Sequence, residues 1–97
     1  MSVSLSTHGR ETELGLPGIG VRVELYRGDE LLASGVTGTD GRIAEVAAGL
    51  EPGSYRLVFH PESEFFARFE VEIALGEGHF HVPLLVSPYS CTTYRGS

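Results

Sequence analysis

The chain has 97 residues, and its thirteen acidic side chains against seven arginines leave a formal net charge of -6, which argues against nucleic acid as a partner. It has no lysine and a single cysteine, Cys91, so Schiff-base chemistry, a pyridoxal phosphate anchor and an internal disulfide are excluded. One domain spanning 1–97 is expected; with no stretch near the roughly 20 apolar residues of a membrane span and no apolar signal region after Met1, the expected location is the cytoplasm.

Leu5-Ser6-Thr7-His8 reads as a short opening strand, and Gly9, Gly15, Pro17, Gly18 and Gly20 then break regular structure into a loop. From Val21 to Tyr26, Val21, Val23 and Leu25 alternate with Arg22, Glu24 and Tyr26, the pattern of a strand with one buried face. Arg27-Gly28-Asp29-Glu30 turns the chain, and Leu31 to Thr37 returns it as the second arm of a hairpin. Thr39-Asp40-Gly41-Arg42 is expected as a tight turn between antiparallel strands, because Asp-Gly tolerates positive φ.

Ala44 to Leu50 is open to a helical turn, ended by Glu51-Pro52-Gly53. Tyr55, Leu57 and Phe59 alternate with Arg56 and Val58 as another half-buried strand. His60 to Glu64 reads as a loop, Phe65 to Phe69 as at most one short helical turn, and Glu70 to Leu75 as a strand. Gly76-Glu77-Gly78 leads into a strand that sets Phe80, Val82, Leu84 and Val86 on one face and His79, His81, Pro83 and Leu85 on the other. Ser87-Pro88 precedes a last short strand through Cys91 and Tyr94. The class implied is all-β, a β-sandwich of seven or eight short strands with at most one short helix.

The C-terminal stretch from Gly78 carries the densest chemistry. His81 can take and return a proton near neutrality, although an isolated strand histidine is more often structural. His79 shares its face about 7 Å along the strand and reads as a supporting or surface residue. Arg42 and Arg95 offer planar, permanently charged donors suited to carbonyls and a developing oxyanion, with ordinary turn or surface arginines as the alternative. Gly96 lets backbone approach a ligand closely, and Ser97 adds a hydroxyl. No Gly-x-Ser-x-Gly elbow supports a serine nucleophile.

His-x-His-Val-Pro-Leu-Leu-x-Ser-Pro-Tyr from His79, the ending Tyr94-Arg95-Gly96-Ser97, Leu5 to His8, Gly15 to Val21, Val23 to Tyr26 and Thr37 to Arg42 together resemble the 5-hydroxyisourate hydrolases. These are the enzymatic branch of the transthyretin-like proteins, and the resemblance runs through nearly the whole chain in order. It implies a transthyretin-like sandwich that opens the N1–C6 cyclic amide of 5-hydroxyisourate to give 2-oxo-4-hydroxy-4-carboxy-5-ureidoimidazoline in urate degradation. By the same resemblance His8, Arg42, His81 and Ser97 are catalytic, and His8, Arg42, Tyr94, Arg95 and Gly96 bind substrate. Which histidine is the base stays open.

The resemblance further implies a homotetramer, a dimer of dimers with sites at subunit interfaces along a channel lined by C-terminal strands. Two departures stand out: Gly9-Arg10 follows His8 where relatives typically carry an apolar pair and an Asp, and the segment 60–70 is trimmed. The alternative is a non-enzymatic transthyretin-like carrier of a small ligand, a branch that lacks the histidines and the Tyr-Arg-Gly-Ser ending. No cofactor is implied and no metal is expected, since the chain has neither Cys-x-x-Cys nor His-Glu-x-x-His. Exhaustive chelation should therefore leave hydrolysis unchanged; activity lost in chelator and restored by zinc would overturn that expectation.

Overall fold

The computed structural model describes residues 3–11, 15–18, 20–61, 63 and 65–96. Among them are nine strands: β1 (Val3–Glu11), β2 (Leu16–Pro17), β3 (Arg22–Arg27), β4 (Glu30–Val36), β5 (Arg42–Leu50), β6 (Gly53–His60), β7 (Phe69–Leu75), β8 (Gly78–Ser87) and β9 (Ser90–Thr93). The all-β expectation holds, and β2 is the strand the alternation could not reveal, because two residues are too few for a period.

The strands form two sheets. In the first, β8 runs parallel along one edge of β1, while β5 and β2 share the other edge, β5 beside residues 3–8 and β2 beside 10–11; β9 completes it antiparallel to β8. The second sheet is antiparallel throughout in the order β4-β3-β6-β7. Between them lies the core, with Val3 and Leu5 from β1, Val82 and Leu84 from β8, Val23 and Leu25 from β3, and Leu57 and Phe59 from β6. Leu84 is wholly buried, so truncating it to alanine should cost about 2–5 kcal/mol.

Three local expectations are corrected. The Asp40-Gly41 turn closes no hairpin; it carries the chain from β4 in the second sheet to β5 in the first. Residues 44–50 are strand rather than helical turn, because β5 gains its ladder on β1 despite two register shifts, and Ile43, Val46, Ala47 and Leu50 pack on the core. Phe65 to Phe69 forms no helix: Ser63 Oγ accepts the backbone N–H groups of Phe65 and Phe66 at 3.2 and 3.0 Å, and the chain then enters β7.

The outer face of the second sheet holds a buried carboxylate. Glu24 is 7% exposed, hydrogen-bonded through Oε1 to His60 Nε2 at 2.5 Å, while its Oε2 accepts from Tyr26 and Arg22, each at 3.2 Å. The His60 hydrogen bond, helped by Tyr26 and the Arg22 charge and opposed by burial, holds its pKa below the ordinary carboxylate value. A carboxylate with a depressed folded-state pKa contributes stability above its unfolded value, about 4.3, and loses it as pH falls through the folded value. Glu24→Gln should thus have a lower Tm than the parent at pH 7, with the gap closing as the pH drops below about 4. Thermal unfolding across that range checks it; a gap independent of pH would remove Glu24 ionisation as the cause.

Candidate active site

Period-two alternation sends Val3, Leu5 and Thr7 of β1 into the core and Ser4, Ser6 and His8 to the outer face of the first sheet. The parallel register then sets Ser4 beside His79, Ser6 beside His81 and His8 beside Pro83. On the other edge of β1, His8 stands opposite Arg42, the first residue of β5. Three of the expected site residues, His8, Arg42 and His81, therefore converge on one face although they lie on three strands. By strand spacing and rise, the backbones of His8 and His81 are about 8 Å apart, a gap suited to a small planar molecule.

Glycines make this convergence possible. The Gly9 N–H donates to the Gly41 carbonyl at 2.7 Å, and the Gly18 N–H donates to the Gly9 carbonyl at 2.8 Å. A Cβ on Gly41, whose φ is +77°, would lie 2.5 Å from the Gly9 oxygen, and one on Gly18 would lie 2.9 Å from the Gly9 carbonyl carbon. The Gly9 substitution is thus accommodated in a three-glycine junction that pins His8 and Arg42 at their strand ends. Asp40 braces the turn, its Oδ1 accepting the Arg42 N–H at 2.9 Å.

Burial, then the Arg42 charge, lowers the pKa of both His8 and His81; Arg10 adds to the effect on His8, and His8 and His79 add to that on His81. Asp40 opposes the shift at His8, through its charge and a backbone hydrogen bond. Both rings are accordingly biased to the neutral form that can accept a proton.

At the C-terminal end, the Gly96 N–H donates to the His81 carbonyl at 2.7 Å, and an added Cβ on Gly96 would lie 2.8 Å from His81 Cδ2. Gly96 is therefore a packing surface for the imidazole. Arg95 is not brought to this face: its guanidinium lies over the Phe80 ring at 4.6 Å and, with Tyr94, lines a cavity between the sheets bordered by Val71, Ile73 and Val82. Ser97 lies outside the described residues.

Ser4 and Ser6 are site residues that the motifs do not mark, although alternation back from His8 in steps of two puts both on its face. Ser6 Oγ is hydrogen-bonded to His81 Nδ1 at 2.7 Å and to His79 Nε2 at 2.9 Å, and Ser4 Oγ to His79 Nδ1 at 2.7 Å. Among the described residues no three His, Cys, Asp or Glu side chains are grouped as a metal ligand set.

Fold and site define a transthyretin-like sandwich with a histidine-bearing outer face. A sequence profile of the HIUase/Transthyretin family matches residues 5–96, and the chain belongs to that family. The 5-hydroxyisourate hydrolase of Pseudomonas aeruginosa is 40% identical over 114 aligned positions, which take in 96% of this chain and 90% of that protein. The 5-hydroxyisourate hydrolase 2 of Rhizobium meliloti is 39% identical, with 96% of this chain and 95% of its own length aligned.

Among solved structures, Klebsiella pneumoniae 5-hydroxyisourate hydrolase superposes with a TM-score of 0.89 at 40% identity, over 98% of this chain and 99% of that one. Sea bream transthyretin in complex with thyroxine superposes with a TM-score of 0.84 at 25% identity, over 95% and 93%. Since the fold is common to a hydrolase and a thyroxine-binding protein, side chains must separate the two functions.

The electrostatics give a direct test. In nuclear magnetic resonance titrations, the imidazoles of His8 and His81 should have midpoints below the ordinary value of about 6.5, and Arg42→Gln should move both upward by removing a nearby positive charge. Unmoved midpoints in the variant would separate Arg42 from the histidines.

Proposed function

We propose that this chain is a hydrolase that opens 5-hydroxyisourate at the N1–C6 amide to give 2-oxo-4-hydroxy-4-carboxy-5-ureidoimidazoline. The observation that carries the reading is the convergence of His8, Arg42 and His81 on one sheet face. The hydrolase relatives at 39–40% identity supply the substrate. A neutral imidazole accepts a proton from water as its oxygen attacks C6, and the Arg42 guanidinium holds the substrate carbonyl and the oxyanion that develops there. Carrier function would use the same sandwich without needing two neutral imidazoles beside a guanidinium.

The proposal extends to the C-terminal segment. Gly96 supports the His81 ring, and Ser97, the next residue in sequence, is assigned to proton handling. Tyr94 and Arg95 are assigned to substrate binding, for which the Arg95 guanidinium has to leave the Phe80 ring. Assembly as a homotetramer, with the histidine face turned toward a shared channel, is part of the same reading; a chain of this size buries limited apolar area alone.

Freshly generated 5-hydroxyisourate, followed by ultraviolet absorbance, should decay faster with the protein than without it. His8→Ala and His81→Ala should each lower kcat by about 10²–10⁴-fold while keeping the parent's circular dichroism. Light scattering should give about four times the 10.5 kDa chain mass. Unaccelerated decay would leave the carrier reading, and near-parent turnover by either variant would remove that histidine from the mechanism.

A further inference from the structure

The outer face of the first sheet carries an unbroken hydrogen-bonded run: Ser4 Oγ, His79 Nδ1 and Nε2, Ser6 Oγ and His81 Nδ1, with links of 2.7, 2.9 and 2.7 Å. Strand alternation and the β1–β8 register build it, since each serine sits beside its histidine. Ser6 is 7% exposed, whereas His79 is open to solvent. The run therefore leads from a buried hydroxyl against His81 out to water.

We infer that Ser6 and His79 are positioning residues for the hydrolysis, Ser6 holding the His81 ring in a defined tautomer and His79 exchanging its proton with solvent. This rests on the hydrolase reading above. The hydroxyl has one proton to give, and a neutral imidazole carries one N–H. When the Ser6 proton is itself used within the run, two orders are possible.

In the first order, His81 Nδ1–H donates to Ser6, Ser6 to His79 Nε2, and His79 Nδ1–H to Ser4, which leaves His81 Nε2 bare as a base. In the second, every bond is reversed and His81 Nε2 carries the proton as an acid.

The chemistry uses both orders. Water adds its oxygen to C6 and gives one proton to His81 Nε2; the Nδ1 proton passes to Ser6, the Ser6 proton to His79 and the His79 proton through Ser4 to water. The N1–C6 bond then breaks, N1 takes the Nε2 proton, and one proton returns from solvent down the run to restore the first order. The new carboxylic acid ionises at neutral pH, so one proton is released overall. Arg42 and His8 also face His81 from β5 and β1, and their side of the site is where an imidazolium is least welcome. Passing a proton on through His79 to solvent relieves that.

The test separates hydrogen bonding from proton transfer. His79→Gln can still hydrogen-bond to the serines but cannot pass a proton. In dilute buffer it should lower kcat by about tenfold or more with little change in KM, and rising imidazole concentration should restore the rate, as mobile buffer replaces the missing shuttle. The parent should not respond to buffer.

Independently of turnover, nitrogen-15 spectra of the free parent should show His81 mainly as the Nδ1–H tautomer, and Ser6→Ala should give a mixture. Full activity of His79→Gln in dilute buffer, or a loss that imidazole does not restore, would overturn the relay, and an unchanged His81 tautomer in Ser6→Ala would overturn the positioning role. If the parent does not hydrolyse 5-hydroxyisourate at all, the functional reading fails, while the tautomer measurement still decides the assignment of Ser6.

Discussion

The parallel pairing of β1 with β8 is the constraint on which the rest of the arrangement depends. It joins residues some 75 positions apart, Val3 beside Gly78 through Glu11 beside Val86, and such a ladder has a high loop-closure cost that only packing on both strands offsets. The packing is present, since Val3, Leu5 and Leu84 are wholly buried. A side-chain hydroxyl reinforces it, Thr7 Oγ1 donating to the Val82 carbonyl at 2.6 Å, and Thr93 Oγ1 ties β9 to β8 by donating to the Pro83 carbonyl at 2.6 Å. Proline is disfavoured within a sheet because it lacks a donor, and here Pro83 stands where the β9 pairing begins at Leu84. A slip of one residue would turn every serine and histidine of the outer face into the core.

The site is a second consequence of backbone closeness. Where Gly9, Gly18 and Gly41 meet, three segments approach at distances that a Cβ on Gly18 or Gly41 would forbid, and His8 and Arg42 emerge on either side of that junction. Gly96 does the same for His81 from the opposite end of the chain. Histidine positions are thereby set by main chain rather than by long flexible side chains, which keeps the entropic cost of orienting them low. Burial and then the Arg42 charge act on this fixed geometry, disfavouring imidazolium on both histidines.

Arg95 shows how far local motif and placement can diverge. Its guanidinium stacks on Phe80 between the sheets, on the side of β8 away from His81, although it sits next to the Gly96 that touches that ring. Tyr94 and Arg95 line the cavity between the sheets, while Gly96 packs on the His81 ring, so neighbouring residues of the motif serve different surroundings. The fold is equally neutral about chemistry, being common to 5-hydroxyisourate hydrolases and to transthyretin.

What the sequence determined by itself was whatever depends on local period and residue chemistry. The alternation of Val21 to Tyr26, Tyr55 to Phe59 and Gly78 to Val86 specified strands, and the chemistry of His81 and Arg42 allowed proton transfer beside a cation, whereas His8 was marked only by the family resemblance. Tertiary structure decided what depends on partners distant in sequence. The alanine-rich stretch 44–50 became strand because β1 offered it a ladder, and the Asp40-Gly41 turn crossed between sheets because its flanking strands pair elsewhere. Ser4 and Ser6 joined the histidines only through a parallel register that no local signal encodes. A period states which residues share a face of one strand, but which strands lie side by side is set by the burial of the whole core.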